Sequence, residues 1–180
     1  YQLAHALIER NAGRCMQVYD QTEIKSFNTT GRHPVVTTAE GHIIRCKKIV
    51  FCNGFESTLL LKEKIAQLIY TYAIVSEQQV AIPKKLSDTL VWDTADPYLY
   101  LRTTDDGRVL VGGEDDDFKD TIQQQNIKEK KSVLLQRKLK KMMPKIDFVE
   151  DISWGGVFGT TKDGLPYIGA SPEYKNCLWC

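Results

Sequence analysis

Apolar residues recur along this chain with two periods. Leu3, Ala4, Leu7 and Ile8 fall at helical spacing and predict a helix from Gln2 to Asn11, with Gly13 where a C-cap would sit. From Met16 to Phe27 apolar and polar positions alternate around Val18, Ile24 and Phe27, which reads as one or two strands. Two β-rich runs follow, Val35 to Thr38 and His42 to Cys52, separated by Ala39-Glu40-Gly41 as a glycine-containing hairpin loop would be. The second run ends in Ile49-Val50-Phe51-Cys52 and meets Asn53-Gly54. An apolar strand that stops at a small-residue turn is how many α/β sheets present backbone to a ligand at the strand's C-terminal edge.

Further on, a short helix is expected around Leu59 to Ile65 and a strand from Leu68 to Ser76. Tyr98 to Thr103 and Arg108 to Gly112 form a second hairpin, joined by Asp105-Asp106-Gly107, where the Asp-Gly pair is a strong turn signal. Thr121 to Met143 is the one long helix: Ile127, Leu134, Leu135, Leu139, Met142 and Met143 make its apolar stripe, and Pro144 stops it. Hairpins with one long helix predict an α+β fold, a largely antiparallel sheet with the helix laid on it. Met16 to Gly54 differs in character and suits a neighbouring domain.

The stretch Ser153 to Gly169, SWGGVFGTTKDGLPYIG, fits neither a helix nor an ordinary strand. It holds Gly155, Gly156, Gly159 and Gly164, and Asp163-Gly164-Leu165-Pro166 is a turn signal. Glycine density of this kind belongs where backbone comes very close to another group; the other reading is that the glycines only serve turns and bulges.

Length and composition narrow the class without changing this picture. A chain of 180 residues, 42% hydrophobic and with formal net charge +1, can bury a core and advertises neither disorder nor a polyanion partner. No apolar run approaches the roughly 18 residues of a membrane span. Both ends read as cuts through a longer protein. Five cysteines, Cys15, Cys46, Cys52, Cys177 and Cys180, lack the even spacing of a secreted disulfide scaffold and point to a reducing cytoplasm. Cys177-Leu178-Trp179-Cys180 matches CxxC, but a single pair without a nearby histidine reads as accidental rather than as a zinc or redox site.

Charged runs offer two further candidates. Lys128, Lys130, Lys131, Arg137, Lys138, Lys140 and Lys141 give the long helix a basic face; no aromatic residue is interleaved to stack bases, so a solvated face is favoured over nucleic-acid binding. A non-catalytic module that uses the basic helix 127–145 to hold an anionic partner stays open as the alternative. Glu114-Asp115-Asp116-Asp117 reads as a wet loop, since the EF-hand spacing puts an arginine at the first ligand position. No GxSxG elbow, P-loop, HExxH or GxGxxG is present, and His5, His33 and His42 are scattered.

The order of motifs, KKIVFCNGFES, then YLYLRTTDDGRVLVGGEDDDF, then SWGGVFGTTKDGLPYIGASPE, resembles the second half of the D-amino-acid-oxidase-like (DAO) family of FAD-dependent oxidoreductases, which includes glycine oxidase and γ-glutamylputrescine oxidoreductase. The resemblance runs from about Gln2 to Trp179, and its last block is the most specific. It implies that 1–58 is part of a Rossmann-type FAD-binding domain, 59–152 a substrate-binding domain, and 153–180 a return segment toward the FAD domain. By the same resemblance Thr22, Glu23 and Ile24 match backbone that touches the adenosine part of FAD, and Cys52, Asn53 and Gly54 match a strand end that approaches the cofactor. Trp154 to Ile168, with Gly155, Gly156, Asp163, Gly164, Leu165 and Pro166, matches the segment that passes the substrate and flavin ring.

The activity implied is hydride removal from the carbon bearing an amine, giving an imine that hydrolyses, with the flavin carrying the difficult chemistry. Tyr98, Tyr100, Arg102, Trp154 and Phe158 are the expected substrate-binding residues. Phe158 stands where amino-acid-oxidising members carry an arginine for the substrate carboxylate, a contact phenylalanine cannot replace, so the block looks closer to the amine-oxidising branch. Arg102 either supplies that charge or pairs with Asp105 or Asp106; Asp163 reads as a turn former rather than a base. The expected partners are a small amine or amino acid and the missing N-terminal FAD-binding segment, whose place a second copy would otherwise take, with no nucleic acid. FAD is expected in the intact parent rather than on this stretch alone.

Overall fold

The computed structural model describes residues 2–14, 16–78, 82–87, 89–119 and 121–180, with side chains in the long helix described from Ile127 onward. Cys15 lies outside the described residues. The fold is α+β, with antiparallel sheets and few helices. The chain divides into two compact units, 1–52 with 168–180, and 53–167. The stretch 153–167 therefore lies with the second unit.

In unit 1 the periodic start of the chain forms α1 (Gln2–Asn11). Gly13 follows it with φ +78°, the left-handed conformation a helix C-terminus favours. The stripe Leu3, Leu7 and Ile8 is exposed. Of the Met16 to Phe27 alternation only β1 (Ile24–Asn28) forms. β2 (Val35–Thr38) and β3 (Ile43–Arg45) make the expected hairpin, and the antiparallel sheet runs β1-β2-β3. The single run expected from His42 to Cys52 breaks: β4 (Ile49–Phe51) leaves that sheet and pairs in parallel with β10 (Cys177–Trp179). Aromatic packing holds this pair. Phe51 stacks on Trp179 with centroids 4.2 Å apart, and Phe27 meets Phe51 edge-on at 5.0 Å.

Unit 2 opens with a 3-10 turn, Gly54–Glu56, and α2 (Ser57–Leu60), earlier than the helix expected at Leu59 to Ile65. Ser57 Oγ donates to Asn53 Oδ1 at 2.9 Å, a local bond that fixes the helical start upstream of the apolar pair Leu59-Leu60. Its sheet comprises β5 (Gln67–Ser76), β6 (Val91–Trp92), β7 (Leu99–Thr103), β8 (Val109–Asp117) and β9 (Glu150–Thr160), in the order β6-β7-β8-β5-β9. All neighbours are antiparallel. Arg108 closes the β7–β8 turn by pairing with Asp106 at 2.8 Å and also with Asp151, so Asp106 is tied to Arg108 rather than Arg102.

α3 (Thr121–Met142) covers one face of this sheet. Leu135 and Leu139 are buried and pack with Tyr70, Tyr72, Ile74, Leu99, Leu101, Val109 and Val111. Leu134 and Met142, assigned to the stripe by periodicity, stay exposed, since the buried arc is narrower than the apolar one.

Two expectations fail informatively. The acidic run is strand, not loop: β8 continues through Asp117, with a bulge between the pairs Tyr72↔Gly113 and Tyr70↔Asp116. Glu114, 3% exposed, pairs with Lys138 of α3, and Asp116 pairs with Lys131 at 2.8 Å, so two of the seven helix cations are consumed within the fold. The glycine-rich stretch is also strand over Ser153–Thr160, paired with Gln67–Ile74 of β5. Its glycines make room for neighbours: a Cβ on Gly155 would stand 2.2 Å from the Tyr70 ring.

Gly155→Ala should therefore force Tyr70 or β9 to shift and destabilise the protein by about 1–3 kcal/mol, the usual overpacking cost. Gly156→Ala, with no atom within 4 Å of the new methyl, should leave stability within about 0.5 kcal/mol of the parent. Urea denaturation of the two variants side by side checks this.

Candidate functional site

Strand alternation decides what faces the side of the sheet that α3 leaves bare. With Tyr72, Leu101 and Val111 pointing at the helix, their neighbours Thr71 and Ala73, Tyr100 and Arg102, and Leu110 and Gly112 point away. The register then lines up one row across all five strands: Trp92, Tyr100, Gly112, Ala73 and Trp154. Small residues sit at its centre and large aromatics at its ends. Tyr100 lies over Gly112, where a Cβ would meet its ring at 2.2 Å. Trp154 is 42% exposed, and Gly156, two residues on, presents bare backbone on the same face.

At one end of this face is a cavity of about 330 Å³. Ile69, Pro97, Tyr98 and Phe158 supply its apolar walls, Thr160 a hydroxyl, and Asp96, Asp115, Asp116 and Asp117 its carboxylates. Among the described residues no lysine or arginine lines it. Asp116 is already paired with Lys131. Asp115 Oδ1 is buried without a hydrogen-bond partner, an acceptor waiting for a donor. Burial, and then the hydrogen bond and negative charge of Asp115, push the Tyr98 phenol up to about 12. Tyr98 is thus a neutral donor throughout the physiological range.

The expected substrate residues divide among three places. Tyr98 and Phe158 share the cavity. Tyr100 and Trp154 occupy the aromatic row. Arg102 is exposed, four residues from Tyr98 along the strand direction or about 13 Å away, and its Nη1 donates at 3.4 Å to the neighbouring Thr103 carbonyl. Asp115 and Asp117 were missed because the acidic run was read as a loop, and Asp96, which precedes Pro97, carried no signal of its own.

The expected cofactor residues show suitable backbone. In unit 1 Thr22, Glu23, Ile24 and Cys52 are exposed. In unit 2 Gly54 has φ +58° and Gly164 φ +72°, both with open space where a Cβ would be. Asp163 Oδ1 accepts from Leu165 N at 3.1 Å, and Gly164 N donates to the Thr161 carbonyl at 3.2 Å, so Asp163 shapes the turn ahead of Pro166. Gly155 is accounted for by Tyr70, which leaves Gly156 as the glycine on the bare face. Within unit 2, open backbone at Gly156 beside the exposed Trp154 is of the kind a flat, polar-edged group such as a flavin needs.

The FAD dependent oxidoreductase (DAO) family model matches residues 1–180. The chain belongs to this FAD-dependent family. No curated protein matches it. Among solved structures it is similar to glycine oxidase from Geobacillus kaustophilus (TM-score 0.63, 18% identity, 91% of this chain and 43% of that one). It is likewise similar to L-proline dehydrogenase from P. horikoshii (0.59, 20%, 88% and 43%) and to an L-amino acid deaminase from Proteus vulgaris (0.63, 18%, 92% and 41%). At these identities the likeness shows the DAO fold, and the chain spans about two fifths of each relative's length. No helix among the described residues is long and apolar enough to cross a membrane.

The raised Tyr98 phenol gives a sign for alkaline stability. An unfolded tyrosine ionises near pH 10, the folded one near 12, so its contribution is fully present below pH 10 and is lost as pH rises from 10 to about 12. Asp115→Asn removes part of the cause and should move the Tyr98 titration downward, read as phenolate absorbance near 295 nm against a Tyr98→Phe control.

Proposed function

We propose that the protein containing this chain oxidises the C–N bond of an amine to an imine with FAD, and that the bare face of the unit 2 sheet is its substrate side. The observation that carries this reading is the cavity bounded by Tyr98 and Phe158 and lined, among the described residues, with carboxylates but no cation. A cationic amine is attracted there, through charge and through the aromatic faces, while the carboxylate of a simple amino acid is repelled. Phe158 offers no bidentate partner for a carboxylate, and Arg102 lies well away from the cavity.

Bound FAD supplies the hydride acceptor. Thr22, Glu23, Ile24 and Cys52 of unit 1, and Asn53, Gly54, Gly156 and the Asp163–Pro166 turn of unit 2, are each proposed as backbone that would help to hold it. The chain's own residues hold and orient the substrate. The Asp115 carboxylate attracts the ammonium into the cavity, and the neutral Tyr98 hydroxyl keeps Asp115 in place. Tyr100 and Trp154 wall the aliphatic part of the substrate and keep water from it. The protein is a soluble cytoplasmic oxidoreductase in this reading.

Anaerobic bleaching of the visible flavin band tests the proposal. Primary and secondary amines should bleach it, and glycine or D-amino acids should not. Bleaching by amino acids alone would overturn the amine reading, and a colourless protein would overturn the flavoenzyme reading. Asp115→Asn should raise KM for cationic amines about tenfold with a smaller change in kcat, as expected for the loss of a charge attraction of about 1.5 kcal/mol.

A further inference from the structure

The ion pairs of unit 2 sort the basic residues of α3 into two groups. Lys131 and Lys138 are bound to Asp116 and Glu114, and Lys128 Nζ reaches the Ser153 carbonyl at 3.5 Å. Lys130, Arg137, Lys140 and Lys141 have no carboxylate or hydrogen-bond partner among the described residues, and all are exposed. Helical spacing places Lys130, Val133, Leu134, Arg137 and Lys141 on one outward stripe, opposite Leu135 and Leu139. At its centre Val133 is 47% exposed and Leu134 36% exposed, two apolar side chains flanked by Lys130 and Arg137, with Glu129 one turn before Val133. With a whole-chain charge of only +1, this is a local concentration of positive charge rather than a general excess. Beside the stripe a groove of about 330 Å³ runs between α3 and the 146–148 segment, with an apolar floor of Leu139, Ile146 and Phe148 and with Arg137 and Lys140 among its lining residues.

We propose that the outer face of α3 docks the protein on an anionic membrane surface, with Arg137, Lys140 and Lys141 on lipid headgroups and Val133 and Leu134 at the acyl boundary. Charge complementarity selects anionic lipid, and the apolar centre of the stripe selects a bilayer over a soluble polyanion, which has nothing to offer those two side chains. Nucleic acid is further disfavoured because the stripe carries no aromatic residue to stack a base. The docked helix lies on the opposite side of the sheet from the bare aromatic face, so docking leaves that face free. The inference is independent of the reaction the protein performs.

Co-sedimentation of the whole protein, flavin included, with vesicles of phosphatidylcholine alone or with about one third phosphatidylglycerol tests it. Binding should require the anionic lipid and fall steeply as salt is raised. Arg137→Glu with Lys140→Glu and Lys141→Glu should weaken partitioning by about 100-fold or more, and Val133→Ser with Leu134→Ser should weaken it at constant charge. Unchanged circular dichroism identifies both variants as folded; the lipid and salt dependence of the parent protein needs neither. No partitioning, equal binding to neutral vesicles, indifference to the serine substitutions, or equally tight binding to duplex DNA would each overturn the proposal.

Discussion

Leu135 and Leu139 press α3 onto one side of the unit 2 sheet, and Lys131 and Lys138 fix how the helix is rotated there by reaching Asp116 and the buried Glu114. Apolar burial alone tolerates some rolling of a helix, whereas two ion pairs seven residues apart on one flank do not. Glu114 in particular is worth little as a net stabiliser, because desolvating its carboxylate offsets most of the attraction to Lys138. Its contribution is positional. Once the helix is set, strand alternation leaves Tyr100, Trp154, Gly156 and Phe158 on the uncovered side.

Tyrosine and glycine divide the work of shaping both sides of the sheet. Tyr70 fills the gap at Gly155 toward the helix, and Tyr100 fills the gap at Gly112 on the bare side. Each pairing lets an aromatic ring lie flat against a strand instead of standing off it, which keeps the sheet's surface smooth where a ligand would rest. Gly156 is different, since no described residue beyond its chain neighbours comes within 4 Å of where its Cβ would be. Of adjacent glycines in one motif, one answers to packing and the other borders open space.

Much of this was legible in the sequence. The β7–β8 hairpin followed from Asp105-Asp106-Gly107, and the long helix from its periodicity and Pro144. The strand of Leu68 to Ser76 followed from a run of β-branched and aromatic residues. What failed did so where polar or glycine-rich composition was taken to mean loop. Asp115-Asp116-Asp117 is strand because its partner β5 supplies the backbone bonds and α3 supplies a lysine, neither of which is local in sequence. Ser153 to Thr160 is strand for the same reason: β5 pairs with it along its length, overriding the weak propensity of glycine. The break between β3 and β4 depends on β10, more than 120 residues away.

The acidic run joins fold and chemistry most directly. In an extended strand, alternate carboxylates go to opposite sides, so Glu114 and Asp116 pair with helix lysines while Asp115 and Asp117 fall on the side of Tyr98 and Phe158. The bulge at Gly113 and Glu114 sets this division, because without the extra residue the pairing would shift by one and exchange the two sets. The same bulge that satisfies the helix cations therefore leaves negative charge on the bare side. Were the proposed substrate to rest there, the carboxylates beside Tyr98 and Phe158 would act on its charge before its shape was read.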